Sequence, residues 1–273
     1  MYFLALEFAV IKPVLSLPAW HGARWSAWLR EACHLCSCNF DEMVLGLLPM
    51  RKGTKPLSVG ERLFLRLLLT ESGLASLGLL LESLTRMAGK GEFSAHSLSL
   101  RRVHDLPGGE CLWQGAGPLT GSPRPFHETL LHAEIEKMRE ADSWTISFPG
   151  PLRLPLPAGH ADRGENVRKY AAPANLLDRE GVANLLNRVR FLDGEGPVAL
   201  PAGVRVDREH SGLQWEDMRY NPRRRIALGG VTGFLRCLGK TDFATARRLV
   251  LGQYLGAGKN ARFGLGFWQV RRG

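Results

Sequence analysis

Residues 2–11 alternate between apolar and other side chains. Phe3, Ala5, Glu7 and Ala9 fall on one side of a pleat, which predicts a first strand. Ser16 followed by Pro18 reads as a cap residue with a proline in the first turn, and predicts a helix over about residues 18–35. Residues 62–70 read as a buried strand, 73–88 as a helix with one apolar face, and 96–104 as another strand. Residues 105–126 are rich in Gly and Pro and predict an irregular connection, with a short amphipathic helix following over 127–141. The order then restarts. A strand is expected over 143–149 and a helix over 174–192 that turns Leu176, Leu177, Leu185, Leu186 and Val189 inward. A strand pair or bent strand at 225–237, a helix at 241–255 and a last strand at 263–271 close the chain.

Each half thus reads approximately as β-α-β-β-α-β. That order predicts an α+β protein of two tandem ferredoxin-like (RRM-like) domains, residues 1–140 and 141–273. The length of 273 residues suits two small domains, and the halves share element order without a matching sequence repeat.

Charge changes the picture more than composition does. Lys and Arg total 36 against 26 Asp and Glu, a formal net charge of +10. A fold does not need that excess. A polyanionic partner would explain it, because each phosphate neutralised releases counterions. A membrane surface or the rest of an assembly would satisfy the same charge. No stretch reaches the roughly 18–20 apolar residues of a membrane span. The apolar opening carries Glu7, Lys12 and Pro13 and does not read as a signal peptide, so a soluble cytoplasmic protein is expected. Five cysteines are too few and too uneven for a disulfide scaffold. Cys33-His34-Leu35-Cys36-Ser37-Cys38 resembles half a zinc site, but no second ligand pair follows, and structural thiols are the expectation. No metal or cofactor is expected.

The most specific stretch runs from Gly252 to Phe267 and includes Gly256, Gly258, Lys259, Arg262, Gly264 and Gly266. It follows a predicted helix and leads into the last strand. Glycines admit positive φ and close approach, consecutive loop amides can cradle anions, and Lys259 and Arg262 would add charge there. The alternative is a helix cap followed by a glycine-bent strand. The spacing fits neither a P-loop nor the dinucleotide fingerprint.

Helix, GxGKxxxFGxG and terminal strand together resemble the C-terminal glycine-rich loop of the RAMP superfamily, in particular its precursor-crRNA-processing endoribonucleases. Arg219-Tyr220-Asn221-Pro222-Arg223-Arg224-Arg225 and Leu228-Gly229-Gly230-Val231-Thr232-Gly233 resemble the basic run and glycine turn before that family's last helix. Trp144–Leu154 is similar to the strand opening its second domain, and Leu47–Glu61 to part of its first. The tryptophan-rich first helix is closest in character to the type IV branch.

The resemblance implies metal-independent cleavage of CRISPR repeat stem-loop RNA to mature crRNA. The ribose 2′-hydroxyl attacks, a 2′,3′-cyclic phosphate is left, and the product stays bound, with CRISPR effector subunits as further partners. It also implies a general acid or base near the first helix, where His21 and Arg24 lie one turn apart. His21 could equally be a core histidine at the edge of the Trp25–Trp28 stripe, in which case Arg24 carries the site. Trp25 stands where the family has a small residue. RNA contacts are expected from Arg219, Arg223, Arg224, Arg225, Lys240, Gly256, Gly258, Lys259, Arg262, Arg168 and Lys169. The alternative functions are a RAMP-fold subunit that binds crRNA without cutting it, and a general basic RNA-binding protein.

Overall fold

The computed structural model describes residues 1–14, 21–50, 56–88, 97–106, 108–115, 117–156, 170–192, 194–221 and 226–273, with backbone alone at 218–221 and 226–228. The expected helix start at Ser16 and Pro18 lies outside these residues. The chain forms two compact units, Met1–His127 with Arg262–Gly264, and Glu128–Ala261 with Leu265–Gly273.

The first unit runs β1 (Tyr2–Val10), α1 (Gly22–Leu35), α2 (Phe40–Met43), β2 (Val44–Pro49), β3 (Arg62–Leu69), α3 (Glu71–Ala75), α4 (Leu77–Met87), β4 (Leu98–Asp105) and β5 (Cys111–Gln114). Its antiparallel sheet has the order β2-β3-β1-β4-β5. The period-two pattern decides which face is buried. Leu4, Leu6, Phe8 and Val10 of β1 join Leu63, Leu65, Leu67 and Leu69 of β3 in one core. The 3.6-residue stripe of α1 brings Trp25, Trp28 and Leu29 onto it, and α4 adds Leu77, Leu80, Leu81 and Leu84. The Phe8 ring meets Trp25 at 5.0 Å and Trp28 at 5.1 Å, both tilted. Each such side chain contributes roughly 1.5–3 kcal/mol of burial.

Two expectations change here. The helix expected over 73–88 is broken at Ser76, because Thr70 caps a separate first turn by accepting from the Gly73 amide at 3.0 Å. The connection expected to be irregular holds the edge strand β5, whose Cys111-Leu-Trp-Gln is too short to stand out beside its glycines.

The second unit runs α5 (His132–Arg139), β6 (Ser143–Leu152), α6 (Arg179–Leu186), β7 (Arg205–Val206), β8 (Gly212–Asn221), β9 (Ile226–Leu238), α7 (Phe243–Leu255) and β10 (Gln269–Arg272). The sheet order is β10-β6-β9-β7, with β8 also pairing β9. The helix expected over 174–192 is shorter. A 3-10 turn at Pro173–Leu176 precedes it, and Asp178 starts α6 by accepting from the Gly181 amide at 2.7 Å. Asn187 stops it, its side chain accepting from the Val198 amide at 2.8 Å and from Arg248 at 2.6 Å. Of the strand pair or bent strand expected at 225–237, the structure has the single strand, β9, and its partner β8 lies upstream.

Candidate nucleic-acid interface

His21 is the N-terminal cap residue of α1, with φ −118°. Its carbonyl accepts from the amides of Arg24 at 3.0 Å and Trp25 at 3.2 Å, which fixes both candidate side chains on one helical turn. The imidazole is 2% exposed, and its Nδ1 accepts from the Trp25 indole at 2.7 Å. An imidazole that accepts at Nδ1 carries its proton, when neutral, on Nε2. In this arrangement Nε2–H can donate a hydrogen bond. Arg24 is half-buried on the same turn.

The glycine-rich segment uses its amides differently from the sequence expectation. Gly256, at φ 70°, ends α7 and donates to the Gly252 carbonyl at 3.0 Å. Ala257 donates to Gly266, Gly258 to Arg188, Lys259 to Arg153, Leu265 to Asn260 and Gly266 to Pro151, at 2.8–3.3 Å. Those amides satisfy protein carbonyls and do not form an anion cradle. Glycine is needed here for close packing. A Cβ on Gly258 would lie 2.4 Å from the Arg153 carbonyl oxygen, and one on Gly252 1.7 Å from the Trp268 ring. Lys259, in the same segment, is exposed.

Arg262 is committed elsewhere. Its Nε donates to the Val44 carbonyl at 2.7 Å and its Nη1 to Asp41 Oδ1 at 3.1 Å. Arg30 grips the same carboxylate with two bonds, at 2.7 and 2.8 Å. The Arg30 bonds, with the nearby Arg262 charge, hold the Asp41 carboxyl below the usual carboxylate range despite some desolvation. Two guanidinium groups around one carboxylate leave net positive charge at that spot.

Lys240 is exposed, 3.7 Å from Asp142. The backbone of Arg219 pairs with Ala227 in the β8–β9 ladder. Arg223, Arg224, Arg225, Arg168 and Lys169 lie outside the described residues. Burial pushes the Cys33 thiol up to about 12, and Cys36 is raised as well, so neither is a ready thiolate. Among the described residues no group of three His, Cys, Asp or Glu side chains is placed to hold a metal ion. No helix among them is long and apolar enough to cross a membrane.

Sequence reasoning missed the open face of the second sheet, where Phe234, Arg236 and Arg271 stand on strands β9 and β10. The signal was present in Phe234-Leu235-Arg236-Cys237, whose alternate residues are buried at Leu235 and Cys237.

No family model matches the sequence, and no curated protein does. Solved structures match the fold. A chain of a partial Cas6-RT-Cas1–Cas2 complex aligns with 100% of this chain at TM-score 0.66 and 14% identity. This chain spans 46% of that one, and 29% of its counterpart in a Cas6-RT-Cas1–Cas2 complex. Thermus thermophilus Cas6 aligns at TM-score 0.51 and 17% identity, over 99% of this chain and 98% of that one. A RAMP protein described as binding different RNA substrates aligns at TM-score 0.52 and 10% identity, over the full length of both.

The chain is therefore a mixed helix-and-sheet protein with two antiparallel sheets and the fold of RAMP proteins. Within that class its likeness is to Cas6.

Proposed function

We propose that this chain is a metal-independent endoribonuclease that cleaves CRISPR repeat stem-loop RNA to mature crRNA and keeps hold of the product. On this reading it is two tandem ferredoxin-like domains, divided near residue 140. The strand orders support that, β4-β1-β3-β2 in the first sheet and β10-β6-β9-β8 in the second. The type IV branch is the assignment favoured by the tryptophan-rich α1. The partners are repeat RNA and CRISPR effector subunits, met in the cytoplasm.

The observation that carries the reading is the first turn of α1, where an imidazole with its proton on Nε2 and a half-buried guanidinium share one helical turn. In the reaction the 2′-oxygen bonds to phosphorus, its proton leaves to a base, and the P–O5′ bond breaks. The O5′ takes up a proton, leaving a 2′,3′-cyclic phosphate and a 5′-hydroxyl. His21 polarises the leaving O5′ by a hydrogen bond from Nε2–H, the proton that O5′ takes up coming from water, and Arg24 offsets charge on the phosphorane. In-line alignment comes from the RNA being held on both sides of the cut. Arg219, Lys240 and Lys259, with Arg168, Lys169, Arg223, Arg224 and Arg225, supply the phosphate contacts, and Gly256 and Gly258 shape the loop that carries Lys259. Arg262 adds positive field from where Asp41 holds it.

The burial of His21 favours one second reading, a RAMP-fold subunit that binds crRNA without cutting it. The two separate on a labelled cognate repeat hairpin in EDTA, beside copies carrying a single 2′-deoxy substitution. Cleavage blocked at one deoxy position, and slowed about 10²-fold or more by His21→Ala or Arg24→Ala with binding intact, supports the enzyme and its site. Tight binding of the hairpin without cutting selects the subunit. Full cleavage by both single variants removes these residues from the chemistry.

A further inference from the structure

The second unit carries an open sheet face that the cleavage reading does not use. Its rungs follow from the register. Gln269 lies opposite Ser147, Ser147 opposite Phe234, and Phe234 opposite Gly212, so the four side-chain positions cross the sheet on one face. The next rung on that face is Arg271, Thr145 and Arg236. Core residues Ile146, Leu235 and Cys237 point the other way and are fully buried.

Phe234 is 45% exposed although β9 is an inner strand, flanked by β6 on one side and β8 and β7 on the other. A buried-core pattern would place an aromatic of this strand inward. The ring lies on the Gly212 backbone, where a Cβ would come within 2.9 Å of Cε1 and 3.1 Å of Cζ. Glycine at 212 therefore leaves room for the ring against the neighbouring strand, and the residue stays 45% exposed. Around it are hydroxyls, an amide and cations. Arg236 is steadied by Asp207 at 3.7 Å, and Arg271 is exposed.

We infer that Phe234 is a stacking platform for an unpaired RNA base, with Arg236 and Arg271 beside it to receive the flanking phosphates. This rests on the RNA-binding reading above and adds a second, single-stranded subsite to it. Every base presents a π-face, so an exposed ring can accept one without reading sequence. The two rungs are about 7 Å apart along the strands, which lets one nucleotide set its base on the ring and its phosphate by a guanidinium. The surroundings argue against a protein partner. Among the described residues one ring set among Ser143, Thr145, Ser147, Leu238 and arginines is not the contiguous apolar patch that a protein interface buries at its centre.

The test compares three RNAs on the full chain by fluorescence anisotropy: a repeat hairpin, the same hairpin with an unpaired uridine extension, and one whose extension is abasic. The uridine extension is expected to tighten binding about ten-fold over the hairpin, the order one stacked base supplies, and the abasic extension to recover little of it. Phe234→Ala should abolish the uridine gain, and Phe234→Tyr should keep it, with unchanged melting temperature and unchanged hairpin affinity in both. If Phe234→Ala retains the full gain, or if abasic and uridine extensions bind alike, the platform is wrong. If the hairpin binds and no extension helps, this subsite fails while the RNA-binding reading stands, and the face is left to a protein partner. If no RNA binds at all, both fail together.

Discussion

The open faces of the two sheets are built on the same plan and filled differently. In the first unit Phe64, on the strand next to β1, lies opposite Glu7. In the second, Phe234, on the strand next to β6, lies opposite Ser147. Both phenylalanines are substantially exposed, at 41% and 45%. Glu7, however, is 5% exposed, with Arg62 at 3.2 Å and His104 at 3.9 Å from its carboxylate. The first face thus spends its cations on a carboxylate of its own, and a buried negative charge beside the ring repels a phosphate. The second has a hydroxyl at the matching place. On the stacking proposal, this exchange of a carboxylate for a hydroxyl leaves the second face the more open to a polyanion.

The largest break in this comparison comes from behind the second face. In the first unit the indoles of Trp25 and Trp28 stand on the helix and pack against Phe8 of the sheet. In the second the arrangement is reversed. Trp268 precedes β10 and lies across Gly252 of α7, donating to the Leu249 carbonyl at 2.9 Å. Gly252→Ala is expected to cost about 3 kcal/mol in urea unfolding, since neither a helix backbone nor a fully buried indole can step aside cheaply. A cost below about 0.5 kcal/mol would mean that the ring is free to move. Next in size is the exchange of the deciding residues. Ser147→Glu should remove the gain from an unpaired RNA extension, about ten-fold, by setting a carboxylate beside Phe234. The reciprocal Glu7→Gln should raise low-salt RNA affinity about threefold, and both effects should shrink by 0.5 M salt. If Ser147→Glu leaves extension binding unchanged, the contrast between the faces has no bearing on RNA.

Much of this was legible in the sequence where a period was long enough to count. The alternation of β1 set its faces correctly, and Phe3, Ala5, Glu7 and Ala9 do lie opposite the Leu4–Leu6–Phe8–Val10 core side. Helix α1 follows its apolar stripe, and α7 lies within the span expected for it. What escaped was decided by partners distant in sequence. Strand β8 has no strong alternation of its own, and its pairing with β9 orders it. The end of α6 is set by Asn187 bridging to Val198 and Arg248, which no window of residues reveals. At the candidate site, sequence spacing placed His21 and Arg24 on one turn, but not the Trp25 bond that fixes the imidazole's proton. The glycine-rich segment stood out for its composition. That composition reflects close backbone packing at least as much as a ligand, because Gly252 and Gly258 have no room for a Cβ.

The smallest effect concerns acid, and it sharpens the comparison between the units' ion pairs. Asp41 in the first unit is held low chiefly by its hydrogen bonds from Arg30, and Glu195 in the second chiefly by its bonds from Arg247. A depressed carboxyl contributes stability that is fully present above its unfolded value and is lost as pH falls through the folded one. Both pairs should therefore weaken together below about pH 4, the ordinary carboxylate range. They differ in surroundings. Arg247 is largely covered and also bridges Glu128, whereas Arg30 and Asp41 are each nearly half exposed, so solvent screens the first unit's pair more. Asp41→Asn is accordingly expected to lower the melting temperature by about 1–2 °C at pH 7 and by less near pH 3, where the contribution of the depressed carboxyl has begun to fade. Glu195→Gln should do the same with a larger drop at pH 7. If Asp41→Asn destabilises equally at both pH values, the carboxylate's charge is not what holds Arg30 and Arg262, and its shape and hydrogen bonding carry the contact instead.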